Sequence, residues 1–218
     1  HGLPPVGGAG VRGGVSGARG GTGTCVMQAA LLVCAGGDSR RMGRTTSWVA
    51  AGVTTLRRWV GDRRAPAFSE VVVAFAQPEQ VREHLPYRLV FDRKPDAGPL
   101  AGLEAGLGVA KHEVTFAVAC DMPYVTQEIA QMAVAASAGC DAAIPRIDGR
   151  AEPTCAAYRR PALPRITAAL DAGQYKASDL AEQLEVTWLE GLDAHLFRSL
   201  NGPDDYERFR HELSRGDN

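Results

Sequence analysis

The 218 residues contain no C-x-x-C pair, no G-x-S-x-G elbow and no unbroken apolar stretch long enough to cross a membrane. These absences argue against a zinc ribbon or dithiol redox motif, a serine hydrolase of the elbow type and a helical membrane span. Charge of one sign is missing too: the formal net charge is -1. A chain so balanced lacks the global basic field that nucleic-acid binding by phosphate neutralisation requires. Aromatic residues make up only 6%, and Trp48, Trp59 and Trp188 read as core anchors rather than stacking platforms. His84, His112, His195 and His211 have no metal-ligand spacing. Cys25, Cys34, Cys120, Cys140 and Cys155 are scattered, which fits reduced thiols in a cytoplasmic protein.

Acidic residues are absent from the first 26 positions, which instead hold ten of the 25 glycines and two arginines. This stretch is expected to be a disordered tail, with 27–218 forming a single domain. Beyond Met27, short β-rich runs alternate with helical stretches. Strands are expected over 29–35, 70–76, 88–92 and 114–120, and helices over 52–60, 79–85, 99–110 and 126–137, with a closing helix over 203–213. Such alternation predicts an α/β fold: a Rossmann-like, mostly parallel sheet flanked by helices. Two further runs, 141–145 and 153–158, flank Asp148-Gly149-Arg150 and read as a small β-hairpin insertion.

The segment Cys34-Ala-Gly-Gly-Asp-Ser-Arg-Arg-Met-Gly43 follows the first strand directly. Gly36 and Gly37 let the backbone approach a ligand and aim N–H donors at an anion, and Arg40 and Arg41 can add forked bonds to phosphate oxygens. Asp92 closes the third strand and leads to Gly98 and Pro99, which open a helix with free N–H groups. Asp121, in Asp121-Met-Pro123, closes the fourth strand and would suit a hard cation such as magnesium, which takes one or two carboxylates plus phosphates. Acidic residues at two strand ends of one parallel sheet point to a common site.

The order AGGxSxRMG, Asp before GPLAGL, CDMP and a late Asn-Gly-Pro-Asp-Asp-Tyr resembles the molybdenum-cofactor guanylyltransferases over roughly 29–209. GPLAGL followed by CDMP is the specific part of the match. The resemblance implies a nucleotide-diphospho-sugar-transferase-like domain that uses Mg2+ and transfers GMP from GTP to molybdenum-bound molybdopterin, releasing pyrophosphate. It also implies molybdoenzyme or cofactor-carrier proteins as partners, with no role for nucleic acid or membrane.

By the same resemblance, Cys34, Ala35, Gly36, Gly37, Thr46, Ala76, Asp92 and Asp121 would contact the nucleotide, Arg41 and Asp121 would serve catalysis, and Asp121 would bind the metal. Gly98, Pro99, Leu100, Ala101, Gly102 and Asn201 would shape the side that receives molybdopterin, with Arg150 and Pro153 at its entrance. The chain departs from the family pattern at Thr45-Thr46, which stand where the family has Asp-Lys. Threonine brings no charge to a phosphate, and Arg44, Lys94 and Lys176 are the cations that could replace the lysine. Phe75-Ala76-Gln77 replaces the usual Ala-Asn-Arg, leaving Ala76 only its backbone for the base. Two alternatives therefore stay open: a homologue that binds nucleotide or a partner without turnover, and a cytidylyltransferase using CTP.

Overall fold

A computed structural model describes residues 26–36, 68–81 and 84–215. The tail, the glycine turn from Gly37 onward with Arg41, Arg44 and Thr46, and the helix expected over 52–60 lie outside the described residues.

Four parallel strands occupy nearly their expected positions: β1 (Met27–Cys34), β2 (Phe68–Phe75), β3 (Arg88–Phe91) and β4 (Val114–Ala119). From Ala29 to Val33, β1 is buried throughout, because both faces of a central parallel strand are covered and the strand must be apolar on each. Its side chains alternate between two cores. Leu31 and Val33 join Phe116, Val118 and Ile129 on one face, while Leu32 joins Val72, Leu100 and Leu103 on the other.

The strands β5 (Ala142–Ile147), β6 (Arg150–Ala151), β7 (Cys155–Arg159) and β8 (Val186–Leu189) complete the sheet, ordered β3-β2-β1-β4-β7-β5-β6 with β8 on β5. The two expected hairpin arms are β5 and β7, which pair antiparallel, and a two-residue strand that was not expected, β6, pairs with β5 at the turn. Asp148 and Gly149 make this turn with φ of 49° and 77°, the two positive angles that a tight two-residue hairpin turn requires. The second run goes further than expected: β7 inserts antiparallel between β4 and β5 and so belongs to the main sheet.

Helices α1 (Pro99–Val109), α2 (Gln127–Ala136), α3 (Leu163–Asp171), α4 (Ala177–Leu180) and α5 (Pro203–Arg215) cover the faces and close the chain. Pro99 sits at the first position of α1, where its missing N–H costs no hydrogen bond. Thr126 occupies the N-cap of α2, though its side chain makes no capping bond. The helix expected over 79–85 is corrected to one 3-10 turn, Pro78–Gln80, after which Val81 is extended. Gln80 Oε1 accepts from the Gln77 N–H at 3.0 Å and closes that single turn, and Leu85 precedes a proline, which disfavours helix.

Strand order reverses at β1, since β2 and β3 lie on one side and β4 on the other. A reversal of this kind opens a crevice beyond the carboxyl ends of β1 and β4, because the connections leave in opposite directions.

Candidate active site at the carboxyl ends of the parallel strands

Register places the candidate residues on one edge. Cys34 pairs with Ala74 on one side and Ala119 on the other, and Phe75 pairs with Phe91. Gly36, Ala76, Asp92 and Asp121 therefore all leave the sheet at the same rim. Main-chain bonds continue the alignment past the strands: Ala35 N–H donates to Ala74 O at 2.7 Å, Asp92 N–H to Phe75 O at 3.0 Å, and Cys120 N–H to Cys34 O at 3.0 Å.

Gly36 has to be glycine for reasons of space. A Cβ there would sit 2.8 Å from Ala76 N and 3.3 Å from Asp92 Oδ2. A Cβ on Gly102 would lie 3.6 Å from Asp92 Oδ1 and 3.7 Å from Cys34 Sγ. The Asp92 carboxylate is thus lodged between the β1 turn and the first turns of α1. Gly98, at the N-cap of α1, has φ of 68°, and its carbonyl oxygen accepts from the Ala101 N–H at 3.2 Å. Leu100 and Ala101 are fully buried, with side chains in the core.

Both carboxylates carry an unmet demand. Among the described residues, Asp92 Oδ1 and Asp121 Oδ1 are buried and have no hydrogen-bond partner. Burial, then the Glu104 charge, pushes Asp92 up to about 7. Burial also raises Asp121, outweighing a backbone hydrogen bond that pulls it down. An orphaned buried carboxylate oxygen is costly unless a cation or donor meets it. Among the described residues no group of three His, Cys, Asp or Glu side chains could hold a metal by itself. A divalent ion here would complete its shell with water and phosphate oxygens, a habit of magnesium, so the donor set fits Mg2+.

Cys34 reports that the two acids share one neighbourhood. Its thiol is pushed up to about 12 by burial, then by the charges of Asp92 and of Asp121. It stays protonated at neutral pH and is unsuited to nucleophilic attack.

Lys94 is turned elsewhere: its Nζ donates to Leu170 O at 2.8 Å and pairs with Asp171 at 3.2 Å, so it does not replace the lysine absent from the glycine turn. Lys176 is the N-cap of α4, one residue after Tyr175, whose carbonyl oxygen lies 3.9 Å from a Cβ built on Gly98. Asn201 is carried to the rim by its neighbour, because Leu200 N–H donates to Asp121 O at 2.8 Å; its own amide donates to Ser199 O at 3.2 Å. Arg150 is exposed, and Pro153 O accepts from the buried Tyr158 hydroxyl at 2.7 Å.

Glu152 was missed from the sequence. Its turn is fastened to β4 by Ala119 N–H donating to Thr154 O at 2.8 Å. Burial raises the Glu152 carboxyl, Arg150 lowers it and Asp121 raises it again, so it belongs to the same electrostatic neighbourhood. Arg93 and Glu104 were missed as well, although Glu104 lies two positions beyond Gly102 on the same helix.

The family description MobA-like NTP transferase domain matches residues 31–187. The chain is similar to the probable molybdenum cofactor guanylyltransferase of Pelotomaculum thermopropionicum, with 31% identity over 85% of this chain and 93% of the relative. It is similar to the protein of the same name from Natronomonas pharaonis, with 32% identity over 84% of this chain and 97% of the relative. Among solved structures, molybdopterin-guanine dinucleotide biosynthesis protein A of Archaeoglobus fulgidus superposes with a TM-score of 0.66 at 22% identity, covering 85% of this chain and 99% of that one. The shared fold, the extent of the family match and these near-full-length relatives together establish that the chain belongs to the MobA-like NTP transferase family.

Proposed function

We propose that this protein is a Mg2+-dependent guanylyltransferase of the cytoplasm that transfers GMP from GTP to the phosphate of molybdenum-bound molybdopterin and releases pyrophosphate. The observation that carries this reading is the pair of orphaned oxygens, Asp92 Oδ1 and Asp121 Oδ1, at the rim where β1 ends in Gly36. Relatives named molybdenum cofactor guanylyltransferase over most of their length support the choice of GTP and of the acceptor.

The residues have separable tasks. Gly36 leaves the main chain bare, so the nucleotide can lie against the end of β1. The N-terminus of α1, opened by Gly98 and Pro99, presents the positive end of the helix dipole to an anion. Asp121 and Asp92 would hold Mg2+, which when bound neutralises phosphate charge. An oxygen of the acceptor phosphate forms the new bond to the α-phosphorus as the bond to the bridging oxygen breaks, and pyrophosphate leaves with that electron pair. Cys34, protonated, takes no part. The segment at Asn201, tied to Asp121 by the Leu200 amide, and the turn at Glu152 would border the acceptor.

Pyrophosphate release from GTP plus molybdenum-bound molybdopterin tests this. Wild-type protein should release it, and Asp121→Ala should lose about 10² to 10³ of the rate, the scale of removing a preorganised electrostatic group. CTP used as well as GTP would move the assignment to cytidylyl transfer. GTP binding without release, unchanged in Thr46→Lys, would leave a nucleotide-binding protein without turnover.

A further inference from the structure

Arg93 follows Asp92 directly and reaches away from the rim. Its Nη2 and Nε meet the two oxygens of Glu104 at 2.8 and 3.3 Å, and its Nη1 meets Asp171 Oδ1 at 2.9 Å. The next residue repeats the direction of pull, since Lys94 binds Leu170 O and Asp171 at the carboxyl end of α3. Two consecutive cations thus staple the Asp92 loop to α1 through Glu104 and to α3 through its last turn, where the helix dipole favours positive charge.

Glu104 makes this more than a surface pair. Exposed ion pairs contribute little, but Glu104 is only 9% exposed and its partner is a forked guanidinium. Glu104 is two positions from Gly102, against which Asp92 rests, and its charge acts on Asp92. Without Arg93, a buried negative charge would stand uncompensated beside the place assigned to a polyphosphate.

We propose that Arg93 is a positioning residue for Asp92: bridging Glu104 and Asp171, it holds the Asp92 loop at the rim and cancels the Glu104 charge that would repel an anionic nucleotide. This rests on the nucleotide reading of the rim. It goes beyond that reading by assigning work to three side chains that touch neither substrate.

Mg·GTP binding by calorimetry, kcat and KM for pyrophosphate release, and the thermal midpoint are measured for wild type, Arg93→Gln, Glu104→Gln and the double variant. Arg93→Gln should weaken Mg·GTP binding by about tenfold or more and raise KM more than it lowers kcat, because a buried charge loses its partner. The double variant should recover part of that loss, since the charge needing compensation is gone while the bridge to α1 and α3 stays broken. Arg93→Lys keeps the charge without the fork and should fall between wild type and Arg93→Gln; it also serves as the test if Arg93→Gln does not fold. A double variant that binds no better than Arg93→Gln overturns the proposal, as does a lowered thermal midpoint with unchanged binding. Wild-type protein that binds no Mg·GTP would instead remove the nucleotide reading, and this role with it.

Discussion

The amide of Leu200 donates to the main-chain oxygen of Asp121 at 2.8 Å, so the last part of the chain is bolted to the loop that bears a candidate metal ligand. The bolt has a backing plate. Tyr124 stacks edge-on against Phe209 of α5 at 5.4 Å, its hydroxyl bonds Glu212 at 2.5 Å, and Arg198 lies over its ring at 5.8 Å. Phe209 is fully buried in this small cluster with Tyr124 and Leu200.

Phe209→Ala should therefore do two things. It should cost about 3 to 5 kcal/mol of stability, as large-to-small changes at buried aromatics do. It should also lower pyrophosphate release under conditions where the variant is still folded, because the Asp121 loop loses its support. Urea unfolding and the release assay on one preparation check both, and an intact rate in the destabilised variant would separate α5 from the site.

Asp92 predicts a pH dependence. Its carboxyl sits at about 7 instead of the ordinary 3.8, so the folded protein binds that proton more tightly than the unfolded chain does. The resulting stabilisation is full below about pH 4 and disappears as pH rises through about 7. Asp92→Asn cannot ionise and should not show that fall. Its thermal midpoint, relative to ligand-free wild type, should climb between pH 5 and pH 8, while its turnover drops. A constant difference across that range would mean Asp92 ionises normally.

Glycines along α1 and β1 should behave differently when given a methyl group. At Gly106 a Cβ would fall 2.3 Å from Leu32 Cδ1 in the buried core, and Gly106→Ala should cost about 1 to 3 kcal/mol by overpacking. At Gly102 the nearest atom is Ala74 Cβ at 3.4 Å, an ordinary contact, and better helix propensity offsets the crowding. Gly36→Ala meets backbone at 2.8 Å and Asp92 next to it, so it should lose nucleotide binding before it loses the fold. Denaturation midpoints and GTP titrations of the three variants give this order or refute it.

Much of this site is legible in the sequence because strands and motifs announce themselves locally. An apolar run such as Ala29–Val33 can only be a strand or helix buried on both faces, and Asp121 follows a run of the same kind, whereas Asp92 follows the short, half-exposed edge strand β3. The hairpin turn at Asp148–Gly149 is equally local, since it depends on two residues that tolerate positive φ. The helix over 79–85 failed where local signals conflict, with helical spacing set against Pro86. β8 went unassigned because a four-residue strand carries a weak pattern, and the nine-residue α3 went unassigned too.

By itself the sequence determined the family, the parallel strands and which acidic residues end them, since each depends on neighbours within a few positions. Only the tertiary structure decided that Asp92 lodges between Gly36 and Gly102, that Lys94 is spent on α3, and that Arg93 neutralises a buried Glu104. Those outcomes turn on burial and on partners up to 78 positions away in the chain, and neither electrostatic cost nor steric fit between distant residues is written in local spacing.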